Sequence, residues 1–134
     1  MRRLFPMDPD LALLLLRITL AAILLYHGIP KALNYSATLE SFNSMGIPAP
    51  ALTLAFAVIV EVVGGVLILL GVLTEITGLL VAIEMLGAIV TVHWANGFDF
   101  TKVGWEHPFT VLMIALALVL AGPGAYSVGG RRTP

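Results

Sequence analysis

Residues Ala51 to Leu73 read A-L-T-L-A-F-A-V-I-V-E-V-V-G-G-V-L-I-L-L-G-V-L, an apolar run whose one ionisable residue is Glu61. At roughly 1.5 Å per residue, a helix of this length crosses a hydrocarbon core of about 30 Å. Glu61 then stands near the midplane, where a charged side chain costs roughly 2.5–3.5 kcal/mol on insertion scales and must turn toward a partner or water. Gly64 and Gly65 come three and four residues after it on the same helical face. Having no side chains, they let a second helix approach closely. E-V-V-G-G is thus a packing surface with a carboxylate built into it.

The rest of the chain has the same character. Of its 134 residues 59% are hydrophobic and 11% charged, with a mean hydropathy of +1.00, against about 25% charged in soluble domains. The expected fold is all-α: an integral membrane four-helix bundle forming a single domain over residues 1–134, with spans at about residues 11–29, 51–73, 76–95 and 107–121. The net charge of −1 offers no basic face for nucleic acid. The absence of cysteine excludes a disulfide or thiol relay made by this chain alone. M-R-R before an apolar run resembles a signal peptide, but Arg17 interrupts the run and no convincing cleavage site comes after it, so a retained helix is expected.

Span one begins near Pro9 and Asp10, and Pro30 marks its end or a kink. Arg17 lies inside it, with Leu24, Gly28 and Lys31 on the same face and His27 obliquely beside it. Residues 31–50 are too polar to span. Leu39, Phe42 and Met45 recur at threes, predicting a short interfacial helix capped by Ser36. The T-E-I-T segment, Thr74 to Thr77, reads as the tight turn between spans two and three. Span three carries Glu84 in E-M-L-G-A, with Gly87 and Ala88 three and four residues on, echoing span two. Trp94 and Trp105 bracket a loop of interfacial composition, and G-P-G at Gly122 to Gly124 ends span four. Arg2, Arg3, Arg131 and Arg132 fall on one side and Lys31 and Lys102 on the other, so the positive-inside rule places both termini in the cytoplasm.

Arg17, H-G-I-P-K at His27 to Lys31, E-V-V-G-G, L-L-G-V-L-T at Leu69 to Thr74, His93, Gly104-Trp105-Glu106 and G-P-G-A-Y-S at Gly122 to Ser127 occur in this order. Together they resemble the DoxX family of small membrane proteins. Glu75 departs from the basic residue many relatives have there, and Val128 and Gly129 stand where relatives often have an acidic residue. The resemblance implies a four-helix membrane bundle, and the expected location is the cell (inner) membrane. It also implies association with the membrane subunit of thiosulfate:quinone oxidoreductase and with complexes handling thiol or oxidative stress.

The sharpest polar group in the sequence is Arg17, Glu61 and Glu84. One reading is a buried ion-pair lock that fixes helix packing; the other is a site handling protons or a quinone. One Arg cannot neutralise two carboxylates, so one glutamate is expected to hold a proton and to donate to a carbonyl oxygen such as a quinone's. His27, His93 and His107 gather with Glu106 at the outer mouth. They have no compact metal-ligand spacing such as H-x-x-x-H, and no metal is expected. A straight helix puts His93 opposite Glu84, so a single site holding both requires span three to bend. The candidate ligand- or proton-handling residues are therefore Arg17, His27, Lys31, Glu61, Glu84, His93, Glu106 and His107, with Gly64, Gly65 and Gly87 as helix-packing positions.

Two functions are compatible with these residues. In the first, the chain is the membrane subunit of a redox system, binding a quinone or similar apolar ring compound and partnering a soluble or membrane oxidoreductase. With no haem, flavin or nucleotide signature, it carries no electrons itself, and whether it is itself an enzyme is left open. In the second it is a non-enzymatic scaffold or small-molecule carrier whose charged cluster is only a lock. Self-association of the chain is compatible with either.

Overall fold

The computed structural model describes residues 2–129; the basic tail residues Arg131 and Arg132 lie outside them. Five α-helices occur among the described residues: α1 (Pro9–Leu33), α2 (Tyr35–Ser44), α3 (Pro50–Leu70), α4 (Thr74–Asn96) and α5 (Glu106–Ala121). There are no strands among them. The protein is an all-α membrane bundle. Helices α1, α3 and α4 are long and apolar enough to cross a bilayer, and α5 is a shorter apolar helix.

α1 packs along α3 and α4 along α5, and α1–α5 and α3–α4 contacts close the ring. Leu20, Ile68, Val81, Ala115 and Leu118 fill the centre with no exposed surface. Large apolar side chains such as Leu52, Val90 and Leu120 face outward, the opposite of a soluble bundle and the arrangement a lipid solvent favours.

Glycines set the helix separations. A Cβ on Gly64 would lie 3.2 Å from Thr77 Cγ2 of α4, and one on Gly65 would lie 2.9 Å from Leu25 Cδ2 of α1. The two residues therefore serve two different neighbours. Gly87 differs from the expectation, since a Cβ there meets nothing within 4 Å. The glycine that brings α4 onto α5 is Gly78, where a Cβ would lie 2.7 Å from Val119 Cγ2 and 3.1 Å from the Ala115 carbonyl.

Three local expectations are corrected. α1 starts at Pro9 as expected, with Asp8 capping it by accepting from Leu11 N–H at 3.0 Å, but it runs through Pro30 to Leu33 instead of ending near Ile29. Proline there removes one ladder bond, while Lys31 Nζ donates to the His27 carbonyl at 3.1 Å. α2 begins at Tyr35 without a side-chain cap, so Ser36 is inside the helix rather than before it. The α3–α4 turn is Gly71 to Leu73, and T-E-I-T forms the first turn of α4. Gly71 takes φ +74°, with Val72 N–H on Leu67 O at 2.9 Å and Gly71 N–H on Ile68 O at 3.1 Å. This paired closure of a helix end requires the left-handed conformation that glycine adopts without strain.

Candidate functional site

The bundle has two ends: a terminal end, where the α3–α4 turn meets the segment after α5, and a loop end, capped by α2 and residues 97–105. Arg17 belongs to the terminal end. It is 1% exposed, and among the described residues every bond of its guanidinium runs to a carbonyl. Nε donates to Ile68 O (2.9 Å), Nη2 to Leu69 O (2.6 Å), and Nη1 to Pro123 O (3.1 Å) and Tyr126 O (2.7 Å). The first two are carbonyls of the last turn of α3, at the negative end of the helix dipole, and Ile68 O also accepts from Gly71 N–H. Val128 N–H on Leu70 O (2.9 Å) and Ala125 N–H on Asp10 Oδ1 (2.9 Å) complete the junction.

The Arg17–Glu61–Glu84 constellation is therefore corrected. Lys31 lies fourteen residues beyond Arg17, about 21 Å along the helix at 1.5 Å per residue. It is Lys31 that pairs with Glu61, at 2.8 Å. Gly28 makes this possible: a Cβ there would stand 2.6 Å from Glu61 Cβ and 3.0 Å from its backbone carbon. Glu61 thus sits level with Gly28, one turn below Lys31, and is 3% exposed.

Glu84 of α4 borders the same cavity as Glu61. Lys31 pairs with Glu61 and neutralises only one of the two carboxyls, so Glu84, with no cation of its own among the described residues, is the one that holds a proton. Glu84 Oε1 is buried and has no hydrogen-bond partner among the described residues. The Glu84 residue borders a cavity of about 600 Å³ whose walls include Ile23, Phe42, Phe56, Met85 and Val111, a size and polarity typical of sites for small organic ligands.

Both glutamate helices carry a π-turn at this level: Ile59–Val63, which contains Glu61, and Ile89–His93. A π-turn inserts one residue and rotates the rest of the helix by about 100°. This is the bend that the opposed faces of Glu84 and His93 demand, and both residues border the 600 Å³ cavity. His93 Nδ1 is fixed on the Val103 carbonyl at 2.8 Å. The His27 and His107 rings lie 5.6 Å apart.

A second cavity of about 530 Å³ opens at the loop end, bordered by His27, His93, Glu106 and His107. Glu106 faces only this outer chamber, where its Oε2 accepts from Phe100 N–H at 3.3 Å. Asp99, outside the spans, accepts from the Thr101 N–H and hydroxyl, both at 2.9 Å, and these bonds hold its carboxyl below the usual aspartate range. Trp94 and Trp105 stack at 5.8 Å, with Phe98 and Phe109 edge-on to Trp105. Gly28, Gly78 and the two π-turns are positions that the residue pattern alone does not single out.

The family model described as DoxX matches residues 12–94, more than half of the chain, including Arg17, Lys31, Glu61, Glu84 and His93. A Bacillus subtilis (strain 168) protein named "Putative oxidoreductase CatD" is 32% identical over 114 residues, 84% of this chain and 81% of the relative. Inner membrane protein YphA of Escherichia coli (strain K12) is 31% identical over 125 residues, 89% of each chain. Inner membrane protein YqjF of the same organism is 29% identical over 119 residues, 89% of this chain and 90% of the relative. No solved structure matches the chain at a significant level. A family match over most of the spans, with relatives aligned nearly end to end, carries one conclusion: the chain belongs to the DoxX family.

Proposed function

We propose that the chain is the membrane subunit of a redox system and binds a quinone or similar apolar ring compound in the 600 Å³ cavity. The observation that carries this reading is Glu84, a carboxyl on the wall of an apolar chamber whose buried Oε1 has no partner among the described residues. An unmade hydrogen bond of this kind costs about 1–3 kcal/mol, and a ring carbonyl accepting from the protonated acid removes that cost. The Lys31–Glu61 pair holds the neighbouring charge in place, and the apolar walls exclude water from the ring. A bound quinone supplies the electron chemistry that the protein's own side chains lack. An oxidoreductase partner delivers the electrons, a role in keeping with the word oxidoreductase in the name of the CatD relative. The setting is a bacterial inner membrane, as the names of two relatives state for themselves, with both termini cytoplasmic and the loop end outside.

Titrating the purified protein with short-chain ubiquinone and menaquinone analogues tests this through ligand-induced thermal stabilisation. The parent should be stabilised. Glu84→Leu should bind about tenfold more weakly, the loss of one hydrogen bond. Glu84→Gln, whose amide donates in place of the acid, should keep most of the affinity. Stabilisation by no analogue, or equal affinity in the parent and Glu84→Leu, defeats the proposal. The second reading, a scaffold or carrier, then takes over, since the Lys31–Glu61 pair at 2.8 Å satisfies itself without a ligand.

A further inference from the structure

His27, His93 and His107 border both chambers, the inner one with Glu61 and Glu84 and the outer one with Glu106. They are the ionisable groups common to the two cavities, and they come from three different helices, α1, α4 and α5. Lys31, Glu61 and Glu84 face them from below, Glu106 from above, and the Tyr26 ring stands edge-on to His27 at 5.4 Å. The partition between the loop-end chamber and the carboxyl pair is therefore made of imidazole side chains, whose two ring nitrogens can accept and donate a proton.

The tautomer of His93 is set by its contact. A carbonyl oxygen only accepts, so Nδ1 carries the hydrogen on Val103 O at 2.8 Å, and Nε2 is left as the exchangeable nitrogen. The π-turn at Ile89–His93 is what carries this ring to the partition, since on a straight helix it would face away from Glu84. His27 and His107, with ring centres 5.6 Å apart and planes at 47°, complete the layer. We infer that His27, His93 and His107 form a proton relay connecting the outer chamber at Glu106 with the Glu61–Glu84 carboxyl pair. A proton enters from water in the outer chamber and is taken up at an imidazole nitrogen. The ring returns a proton on the inner side, and a carboxyl of the pair receives it. No electron moves in this step, and no bond other than those to hydrogen forms or breaks. The inference rests on the reading of the glutamate pair as a proton-holding site and names the route that supplies it.

Hydrogen–deuterium exchange of the carboxylic acid, tracked by infrared spectroscopy of the purified protein without quinone, tests the relay. After transfer from H₂O to D₂O buffer, the acid C=O band should shift, and Glu84→Gln should change or abolish that band, which assigns it to the pair. In His107→Gln and His27→Gln the band should keep its amplitude but exchange at least tenfold more slowly. Imidazole added to His107→Gly should restore the rate, because the outer chamber has room for the ring. Slow exchange with rescue is not produced by a histidine that only packs. An unshifted rate in His27→Gln, His93→Gln and His107→Gln alike, or no acid band in the parent, overturns the relay. The two readings fail separately: the exchange is measured without quinone, so absence of quinone binding in the parent leaves the exchange kinetics unaffected, and unshifted exchange in the histidine variants leaves the parent's quinone affinity as it stands.

Discussion

Gly28→Ala is the substitution whose effect the geometry specifies most sharply. The added Cβ would stand 2.6 Å from Glu61 Cβ, 3.0 Å from Glu61 backbone carbon and 3.0 Å from Val62 Cγ2. Ordinary contact begins near 3.4 Å, so α1 and α3 must part by about 0.8 Å, and none of these neighbours is the free end of a flexible chain. Overpacking of this kind costs typically 1–3 kcal/mol, against a return of about 0.8–1 kcal/mol from replacing glycine by alanine within a helix. A net loss of up to about 2 kcal/mol is expected, together with a weaker Lys31–Glu61 pair, because the pair bridges the helices being forced apart. Gly87→Ala is the matched control. Its Cβ meets nothing within 4 Å, so only the helix-propensity gain remains, and the variant should be more stable than the parent by up to about 1 kcal/mol. Reversible unfolding in mixed detergent micelles measures both. If Gly28→Ala equals or exceeds the parent, the close α1–α3 approach is wrong, and with it the placement of Glu61 beside Lys31.

At the terminal end, Arg17→Met strips the donor from four carbonyls and should cost at least about 3 kcal/mol. Arg17→Lys, which keeps a cation at the end of α3, should lose less, and equal losses would show that the fork geometry is immaterial. Asp99 has a folded-state pKa below its ordinary value of 3.8, chiefly through the Thr101 backbone N–H. Its contribution to loop order is therefore present above that value and lost as pH falls below it. Trp94 and Trp105, the only tryptophans, should report this as an acid fluorescence transition that Asp99→Asn removes, and an unchanged transition would assign it elsewhere. For orientation, Thr101→Cys should react with an impermeant thiol reagent in intact cells and Thr133→Cys should not; the reverse pattern would invert the positive-inside assignment.

Features that depend on composition along one helix are legible in the residues. The spans, the inward turn of Glu61, the close-packing glycines after it and the gathering of His27, His93, Glu106 and His107 at one end are all of this kind. Pairings between helices are not, because a sequence states that a buried charge needs a partner but not which one. Arg17 illustrates the difficulty. An arginine in mid-span invites a carboxylate, yet four backbone carbonyls satisfy it, and they exist only because the α3–α4 turn and the G-P-G-A-Y-S segment converge on one spot. Gly71 is a local signal for that turn, since a glycine after an apolar run marks a helix end. The π-turns leave no local signal of this kind.

The family's scattered motifs sort into two sets once folded, and the sorting separates stability from chemistry. Arg17, L-L-G-V-L-T and G-P-G-A-Y-S meet at the terminal end, where their bonds run from a guanidinium to backbone carbonyls and lie away from both chambers. H-G-I-P-K, E-V-V-G-G, Glu84, His93 and the G-W-E lead into α5 meet around the two chambers, the inner of which Glu84 borders. A π-turn sacrifices regular helical bonding and persists only where tertiary contacts hold it. Both π-turns lie beside the inner cavity, one presenting Glu61 and the other bringing His93 to the cavity that Glu84 borders. The terminal end, by contrast, is built from regular helix closures and satisfied carbonyls. The irregular backbone is thus concentrated where the ionisable side chains are, which is the distribution expected if the fold holds one end rigid so that the other can bind and exchange protons.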